Sequence, residues 1–218
     1  MFGIASNLFD VGSIQFAVHY MFKDKLTLHS FLKNCADTIK VGGYLIGTCY
    51  DGERVFNMLK DCDIDEKKEI YLNEKCIWYL KKKYNIQQKF KFDDNSEDVL
   101  GYTIGVYQES INKEFDEYLV NFKYFTEMMG IYGFMPISPI PEVLQAIDSF
   151  ETIYAKSKFK MSKEEQQISF LNKYFIFKKV RQVSSTYIHN QYTTDETEEF
   201  NFKIGLPVKT NKKIVLKK

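Results

Sequence analysis

A strand–helix–strand unit near the start of the chain constrains the fold more than any other feature. Apolar, β-forming residues at 8–14 precede a stretch, 25–40, in which apolar residues recur at the spacing of an amphipathic helix. Gly42 and Gly43 should end that helix, and residues 44–49 predict a second buried strand. Two strands joined through a helix are expected to pair in parallel, with a right-handed crossover. The sequence therefore predicts an α/β fold.

Polar and aromatic side chains crowd the carboxyl end of the first predicted strand. They are Gln15, Phe16, His19 and Tyr20. In open α/β sheets, ligands bind in the crevice outside the carboxyl ends of the strands, so this group is a candidate site. The alternative is structural, with the aromatics in the core and His19 a buried histidine whose hydrogen bonds are satisfied. On composition alone, the structural alternative is favoured.

Composition narrows the class of protein and of partner. The chain has 218 residues, enough for one domain with a sizeable core. Its formal net charge is +1, so any nucleic acid must be held by a local basic patch. Four cysteines without C-x-x-C spacing, beside only three histidines, favour free thiols in a reducing compartment and no metal site. With no signal peptide and no bilayer-spanning apolar run, we expect a soluble intracellular protein without membrane contact.

The middle of the chain predicts one more helix and several strands. Asp51 can cap a helix that begins at Glu53. Residues that favour β-structure, with lysines among them, dominate the ranges 70–84, 89–92 and 102–106. Lysine-lined strands could follow an RNA backbone, but lysine also protects exposed edge strands, and the edge-strand interpretation is favoured.

The second half predicts two helices, a strand and a tail. Apolar residues recur at helical spacing over 115–129, and Glu117 lies near the start, where the helix dipole favours a carboxylate. A charged helix over 162–171 and a strand over 174–177 follow. Residues 184–218 are polar and then lysine-rich, which predicts a mobile tail; its lysines could touch RNA, although a solvated tail is commoner.

Four short segments, in order along the chain, carry a family pattern. They are Phe-Asp-Val at 9–11 with Gln-Phe-Ala-Val-His-Tyr at 15–20, Gly-Gly-Tyr-Leu-Ile-Gly-Thr at 42–48, Asp-Glu-Tyr-Leu-Val at 116–120 and Tyr-Phe-Ile-Phe at 174–177. The pattern resembles the mRNA cap guanine-N7 methyltransferases. Gly-Thr-Cys-Tyr-Asp-Gly at 47–52 is most similar to the versions carried by large DNA viruses, although Tyr50 stands where many relatives have proline.

The resemblance implies a Rossmann-like class I S-adenosylmethionine-dependent methyltransferase fold, partial over residues 1–183. It implies that S-adenosylmethionine is the cofactor and that Gln15 lies against it. Tyr20 would lie between the methyl donor and the cap guanine and would position both.

For the cap guanine, the resemblance implies four further contacts. Phe16 would stack on the base and His19 would hydrogen-bond its edge. Glu117 would accept the N1 and N2 hydrogens, and Tyr174 would complete the pocket beside Tyr20. Guanine N7 has a lone pair and no proton, so its attack on a sulfonium methyl needs no acid or base, and positioning is the main contribution.

The resemblance also shows what the chain lacks. Family members begin this domain with a strand ending in an Asp-x-Gly-x-Gly type loop, and residues 1–7 cannot supply one. The first strands and the main donor-binding loop are therefore expected to be missing. We expect a fragment of a longer, viral capping enzyme that methylates N7 of the cap guanine at the 5′ end of mRNA, with little activity alone.

Two other functions remain open. The first is a non-catalytic cap-binding, RNA-binding or regulatory module, and the second is a small-molecule methyltransferase, which the guanine-contacting set disfavours. The expected partners are the capped mRNA 5′ end and the triphosphatase and guanylyltransferase part of a capping enzyme. The expected location is the host cytoplasm (a viral factory) or the virion for a viral protein, and the nucleus for a cellular one.

Overall fold

The computed structural model describes residues 7–85 and 97–203, which form two sheets and six α-helices. The first sheet, in the order β1-β2-β9-β7 with β8 also pairing β9, is built from Phe9–Gln15 (β1), Ile39–Tyr50 (β2), Phe134–Pro136 (β7), Ile147–Ser149 (β8) and Asn172–Lys179 (β9). The second, antiparallel and in chain order, is built from Lys67–Leu72 (β3), Lys75–Lys82 (β4), Thr103–Gln108 (β5) and Lys113–Tyr118 (β6). The helices are Lys25–Thr38 (α1), Gly52–Leu59 (α2), Phe122–Ile131 (α3), Phe150–Ala155 (α4), Lys163–Ser169 (α5) and Ser185–Lys203 (α6). In the described part of the chain, no helix is long and apolar enough to span a membrane.

The predicted strand–helix–strand unit is confirmed, because β1 and β2 pair in parallel on either side of α1. The predicted helix stop is wrong. α1 ends at Thr38, and Gly42 and Gly43 lie inside β2, at a bulge where the pairing register with β1 shifts. Gly42 has a positive φ, and a Cβ on Gly43 would lie 2.8 Å from the Asp10 carbonyl oxygen. Glycine is therefore required at this bulge in the strand.

The first strand is exposed, although the sequence predicts a strand buried on both faces. Phe9 and Val11 are 44% and 51% exposed. Within the described residues β1 pairs with β2 alone, so its other edge is open. β1 therefore exposes apolar side chains along an edge that is unpaired in this part of the chain.

The predicted helix over 115–129 is wrong at its start. Residues 113–118 form β6, and α3 begins only at Phe122, where the Asn121 side chain caps it by accepting a hydrogen bond from the Tyr124 N–H. Glu114 alternates to the outer face of the sheet, where it pairs with Lys81 and Lys83. These cross-strand ion pairs favour the strand, so the helix dipole has no bearing on Glu117.

The last helix replaces part of the expected tail. α6 packs on α1, with the His29 and Tyr192 rings stacked at 4.6 Å and the Ser30 hydroxyl 3.2 Å from His189 Nε2. Thr193 is buried. The expectation of a mobile tail therefore does not hold for residues 185–194, while the lysine-rich end at 204–218 lies outside the described residues, as does the predicted strand at 89–92.

Other predicted elements are confirmed. Asp51 caps α2 by accepting the Glu53 N–H, and Ser162 caps α5 in a reciprocal capping box with Glu165. The strand at 174–177 lies within β9, which runs antiparallel to β2 and contributes Phe175 and Phe177 to the core. The lysine-lined strands form the second sheet, in which β3 is an exposed edge.

Candidate functional site

A cavity of about 660 Å³ lies between the two sheets. Its walls come from the carboxyl ends of β1 and β2, the 3-10 helix Val18–Lys23, strands β5 and β6, and the segment that carries α4 and α5. The lining residues are Phe16, His19, Tyr20, Tyr50, Gln108, Ile111, Phe115, Glu117, Phe150, Met161, Glu165, Ile168, Ser169 and Asn172. The site thus lies in the crevice outside the carboxyl ends of the parallel strands, as expected for an α/β sheet.

Phe16 enters the cavity through a strained backbone. Its φ is +50°, a value that residues with a side chain seldom adopt, and its N–H donates to the Thr48 carbonyl oxygen at 2.8 Å. This conformation ends β1 and turns the ring into the cavity, where it meets Phe150 edge-on at 6.2 Å. The ring is 54% exposed, so one face is free to stack on a planar ligand.

His19 and Glu117 face each other across the cavity wall. The distance from His19 Nε2 to Glu117 Oε2 is 3.5 Å, and both atoms are buried without a hydrogen-bond partner. Burial lowers the pKa of His19 to about 4 and raises the pKa of Glu117 to about 7. The imidazole is therefore neutral at neutral pH, and the two groups do not form a strong ion pair. Buried polar atoms of this kind normally have partners, so the pair points to a ligand that supplies them.

Tyr20 lies beside this pair and also lines the cavity. Its ring is 4.2 Å from the His19 ring between centroids, and 42% of the residue is exposed. Burial, together with the nearby Glu117 carboxylate, raises the pKa of its hydroxyl. Tyr20 therefore stays protonated and can donate a hydrogen bond at neutral pH.

The cavity is also lined by Tyr50, which stands where many relatives have proline, and by Asn172, which the family pattern does not include in the site. The Tyr50 hydroxyl accepts a 2.9 Å hydrogen bond from Trp78 Nε1, and burial raises the Tyr50 pKa to about 12. Asn172 Nδ2 donates to the carbonyl oxygens of Ile168 and Ser169, while Asn172 Oδ1 is buried without a partner. Asn172 thus supplies a third unsatisfied polar group, an acceptor.

Gln15 is exposed and is not among the residues that line the cavity. Its Oε1 accepts from the Thr48 hydroxyl at 2.8 Å, and its Nε2 donates to the Ser13 hydroxyl at 2.9 Å. Because β1 and β2 are adjacent parallel strands, Gln15 and Thr48 lie in register at the top of the sheet. Gln15 ends β1, whose other edge is unpaired in the described residues, whereas Tyr20 lines the cavity.

The structure brings four of the six predicted site residues into one cavity: Phe16, His19, Tyr20 and Glu117. Tyr174 is not among them. It lies in β9 opposite Thr48, is 8% exposed, and has its pKa raised by burial and by Asp148 of β8. Its predicted contact with the base has no support from this cavity, where Asn172 of the same strand is present instead.

Sequence reasoning also missed the α4–α5 segment, which supplies Phe150, Met161, Glu165, Ile168 and Ser169. Met161 lies in the loop between two short helices of six and seven residues, and the other four residues lie in those helices. The only local signal is the reciprocal cap at Ser162, which predicts a helix and not a site.

Comparison with known proteins gives a consistent result. The sequence profile of the mRNA (guanine-N(7))-methyltransferase domain matches residues 4–198. The mRNA cap guanine-N(7) methyltransferase of Saccharomyces cerevisiae is 27% identical over 132 residues, covering 61% of this chain and 29% of the yeast protein. The corresponding Caenorhabditis briggsae enzyme is 47% identical over 47 residues, covering 22% of this chain and 12% of that protein.

A viral relative and a solved structure are also similar. The probable mRNA-capping enzyme of Acanthamoeba polyphaga mimivirus is 37% identical over 57 residues, covering 26% of this chain and 5% of the viral protein. The CcbJ methyltransferase of Streptomyces caelestis superimposes with a TM-score of 0.46 at 9% identity, covering 79% of this chain and 61% of that one. These matches span less than a third of each curated relative named here. On the match of its sequence over residues 4–198, the chain belongs to the mRNA (guanine-N7)-methyltransferase family.

Proposed function

We propose that the cavity binds the cap guanine of mRNA and that the protein is the guanine-binding part of an S-adenosylmethionine-dependent cap N7 methyltransferase. The observation that carries the proposal is the buried pair of His19 and Glu117, whose facing atoms both lack partners. The Watson–Crick edge of guanine presents an O6 acceptor beside N1 and N2 donors. Neutral His19 can donate to O6 while Glu117 accepts from N1 and N2. Adenine, with a donor in place of O6, does not satisfy the same pair.

Stacking contributes the rest of the affinity for the base. Phe16 offers an exposed ring face above the wall that holds His19 and Glu117. Stacking of a base on an aromatic ring contributes about 1–3 kcal/mol. Methylation at N7 makes the purine cationic, and a cation–π attraction to Phe16 then adds to the stacking.

Glu117 favours the reaction electrostatically as well as by binding. Its pKa near 7 falls when donors from the base replace the lost hydration of the carboxylate. The resulting negative charge favours the positive charge that develops on the ring as N7 is alkylated. No residue needs to remove a proton, so His19 acts as a contact and Tyr20 positions the reactants.

The described residues supply one edge of a donor site. Gln15 ends the strand whose other edge is open, Tyr20 lines the adjoining cavity, and hydrogen bonds to Thr48 and Ser13 hold the Gln15 amide in place. S-adenosylmethionine supplies a sulfonium methyl group when bound. The sequence contains no G-x-G loop, and we propose that the remaining donor contacts come from other residues of a longer protein or from a partner. The mimivirus match supports a larger capping enzyme as that source.

The open edge of β1 also favours a second candidate function. A module with a complete guanine cavity and an incomplete donor site is suited to binding caps without methylating them. Transfer of label from S-adenosylmethionine to GpppA-capped RNA separates the two. We expect little transfer by this chain alone and robust transfer once the donor half is supplied; no transfer in that second case supports the binding module.

Direct binding of GTP tests the cavity independently of catalysis. Calorimetry should show that Glu117→Gln weakens GTP binding about tenfold or more, because a charge-assisted hydrogen-bond pair is lost. Asp116→Asn is the matched control, since Asp116 is the neighbouring carboxylate but lies on the outer face of the sheet, beside Lys83. Equal affinity of the unaltered chain for ATP and GTP, or an unchanged affinity in Glu117→Gln, contradicts the proposed guanine site.

A further inference from the structure

A second cavity adjoins the guanine cavity and lies against a basic loop. It measures about 460 Å³ and shares four lining residues with the first cavity: Phe150, Met161, Glu165 and Ser169. Its other walls come from α4 and from the loop between α4 and α5. A ligand that fills the guanine cavity therefore has a continuous path into the second one.

The loop at the mouth of the second cavity alternates cations with other residues. Lys156, Lys158, Lys160 and Lys163 are all exposed, and Phe159 between them is 83% exposed, the largest fraction among the exposed large hydrophobic residues of the described chain. A large exposed ring costs solvation free energy, which favours a partner that covers it.

The charges of this loop are largely uncompensated by nearby acids. Glu165 accepts the Ser162 N–H in the helix cap, and Glu151 pairs with Arg54. Within the residues described, no carboxylate forms an ion pair with Lys158, Lys160 or Lys163. Lys156 donates to the Val143 carbonyl oxygen. The loop thus presents net positive charge to solvent, next to a ring.

The second cavity also contains an unsatisfied polar group. Ser157 Oγ is buried without a hydrogen-bond partner and lies among the lining residues, beside the apolar side chains of Ile153 and Tyr154. A hydroxyl in that position can pair with a ligand hydroxyl or phosphate oxygen. Mostly apolar walls, one free hydroxyl and a lysine rim match the faces, sugar and backbone of a nucleotide.

We propose that the second cavity and the loop at 156–163 bind the first nucleotides of the RNA chain that follows the cap. Phe159 stacks on a base, and the lysines neutralise backbone phosphates. Exposed aromatics interleaved with cations, adjoining a positively charged path, are the ordinary means of holding single strands without sequence preference. The inference rests on the proposed function, because it places the RNA chain beside a cap guanine in the first cavity.

Two probes separate the RNA site from the guanine site. Binding of GTP by the whole chain, measured by calorimetry, reports the guanine cavity. Binding of a short GpppA-capped oligonucleotide, measured by anisotropy of a label at its 3′ end, reports both cavities. Phe159→Ala is expected to weaken oligonucleotide binding about tenfold and to leave GTP binding unchanged. Tyr187→Ala, which removes an exposed aromatic side chain on α6, is the matched control.

Salt dependence tests the lysines. Replacing Lys158 and Lys160 by alanine should reduce the slope of log affinity for the oligonucleotide against log salt by about 1.4, given about 0.7 for each phosphate contact to a single strand. Lys68→Ala, at an exposed position on β3, should leave the slope unchanged. Because these residues are exposed, the variants are expected to keep the stability of the unaltered chain.

Three outcomes contradict the inference. Unchanged oligonucleotide affinity and slope assign the loop to another contact, such as a protein surface. Equal losses for GTP and for the oligonucleotide place the residues in the guanine site instead. Failure of the unaltered chain to bind either probe contradicts the proposed function itself and, with it, the RNA site.

Discussion

His19 Nε2 and Glu117 Oε2 face each other at 3.5 Å, although one residue follows the first parallel strand and the other lies on the last strand of the antiparallel sheet. The pair therefore joins the two sheets at the cavity. Burial of these two atoms costs solvation free energy, and no hydrogen bond from a described residue offsets that cost. The physical consequences of that cost can be measured without a ligand.

Glu117 should make the free protein less stable as the pH rises. Its pKa of about 7 in the folded protein exceeds the ordinary 4.5, so the folded state holds the proton more tightly than the unfolded chain. The stability that protonated Glu117 contributes is complete below pH 4.5 and is lost as the pH rises through 7. Glu117→Gln should therefore stabilise the protein by roughly 3 kcal/mol at pH 8, where the native carboxylate is charged.

Urea unfolding at pH 5 and pH 8 checks this expectation. The gain from Glu117→Gln should be small at the lower pH and grow between pH 4.5 and 7. His19, with a pKa lowered to about 4, acts in the opposite sense, because its stabilising contribution is lost as the pH falls from 6.5 toward 4. A pH-independent difference between the variant and the unaltered chain shows that Glu117 is solvated, against the structure.

The strained backbone of Phe16 should lower the stability of the protein, while its ring should strengthen the binding of GTP. Its φ of +50° costs about 1 kcal/mol for a residue with a side chain and almost nothing for glycine. Phe16→Gly is therefore expected to match or exceed the unaltered chain in thermal stability while it weakens GTP binding about tenfold. Phe16→Ala keeps the strain and loses the ring, so it should melt below Phe16→Gly; the reverse order argues against strain at this position.

The Tyr50 hydroxyl should stabilise the fold by accepting a hydrogen bond from Trp78, the only tryptophan in the sequence. Trp78 is 1% exposed, and its indole N–H donates to the Tyr50 hydroxyl. Tyr50→Phe leaves that donor buried and unpaired, at a cost of about 1–3 kcal/mol. Intrinsic fluorescence reports the change directly, and chemical denaturation measures the loss. Tyr71→Phe, at an exposed tyrosine of the second sheet, which also contains Trp78, should change neither quantity.

Lys179 should stabilise the fold by donating hydrogen bonds to the C-terminal end of α1. Its buried ammonium donates to the carbonyl oxygens of Ala36 and Ile39 and to Gln182 Oε1. Lys179→Met keeps the length of the side chain and leaves these acceptors unpaired, so we expect a loss of about 2–4 kcal/mol in urea unfolding. Lys178→Met is the matched control, because Lys178 lies beside Tyr44 on the opposite face of β9 and should cost under about 1 kcal/mol.

The sequence predicted those parts of the fold in which a local pattern and the tertiary structure agree. The parallel pair around α1, the cap at Asp51 and the late strand all have periodicities that packing preserves. The prediction of a helix over 115–129 was wrong because the apolar residues at helical spacing belong to two different elements, β6 and α3. The ion pairs of Glu114 that favour β6 involve lysines that are distant in sequence. The prediction that Gly42 and Gly43 end a helix was wrong for a similar reason, because the close approach of the neighbouring strand is what requires glycine there.

The site was predictable where residues cluster in sequence and unpredictable where the fold gathers them. The family pattern identified Phe16, His19, Tyr20 and Glu117, and the structure places all four in one cavity. Asn172 was missed because an asparagine at the start of a strand carries no signal until its buried Oδ1 is seen to lack a partner. The α4–α5 wall has no motif at all.

Thr48 links the two halves of the proposed reaction. Its carbonyl oxygen accepts the Phe16 N–H, and its hydroxyl donates to Gln15 Oε1. A ligand that orders Gln15 therefore also restrains the backbone that directs Phe16 into the cavity, and the reverse holds by thermodynamic reciprocity. We expect the cap and the methyl donor to bind with positive cooperativity, and we expect Thr48→Val to abolish that cooperativity. Calorimetry with each ligand in the presence of the other measures the effect. Equal cooperativity in the variant and in the unaltered chain would exclude Thr48 as the link.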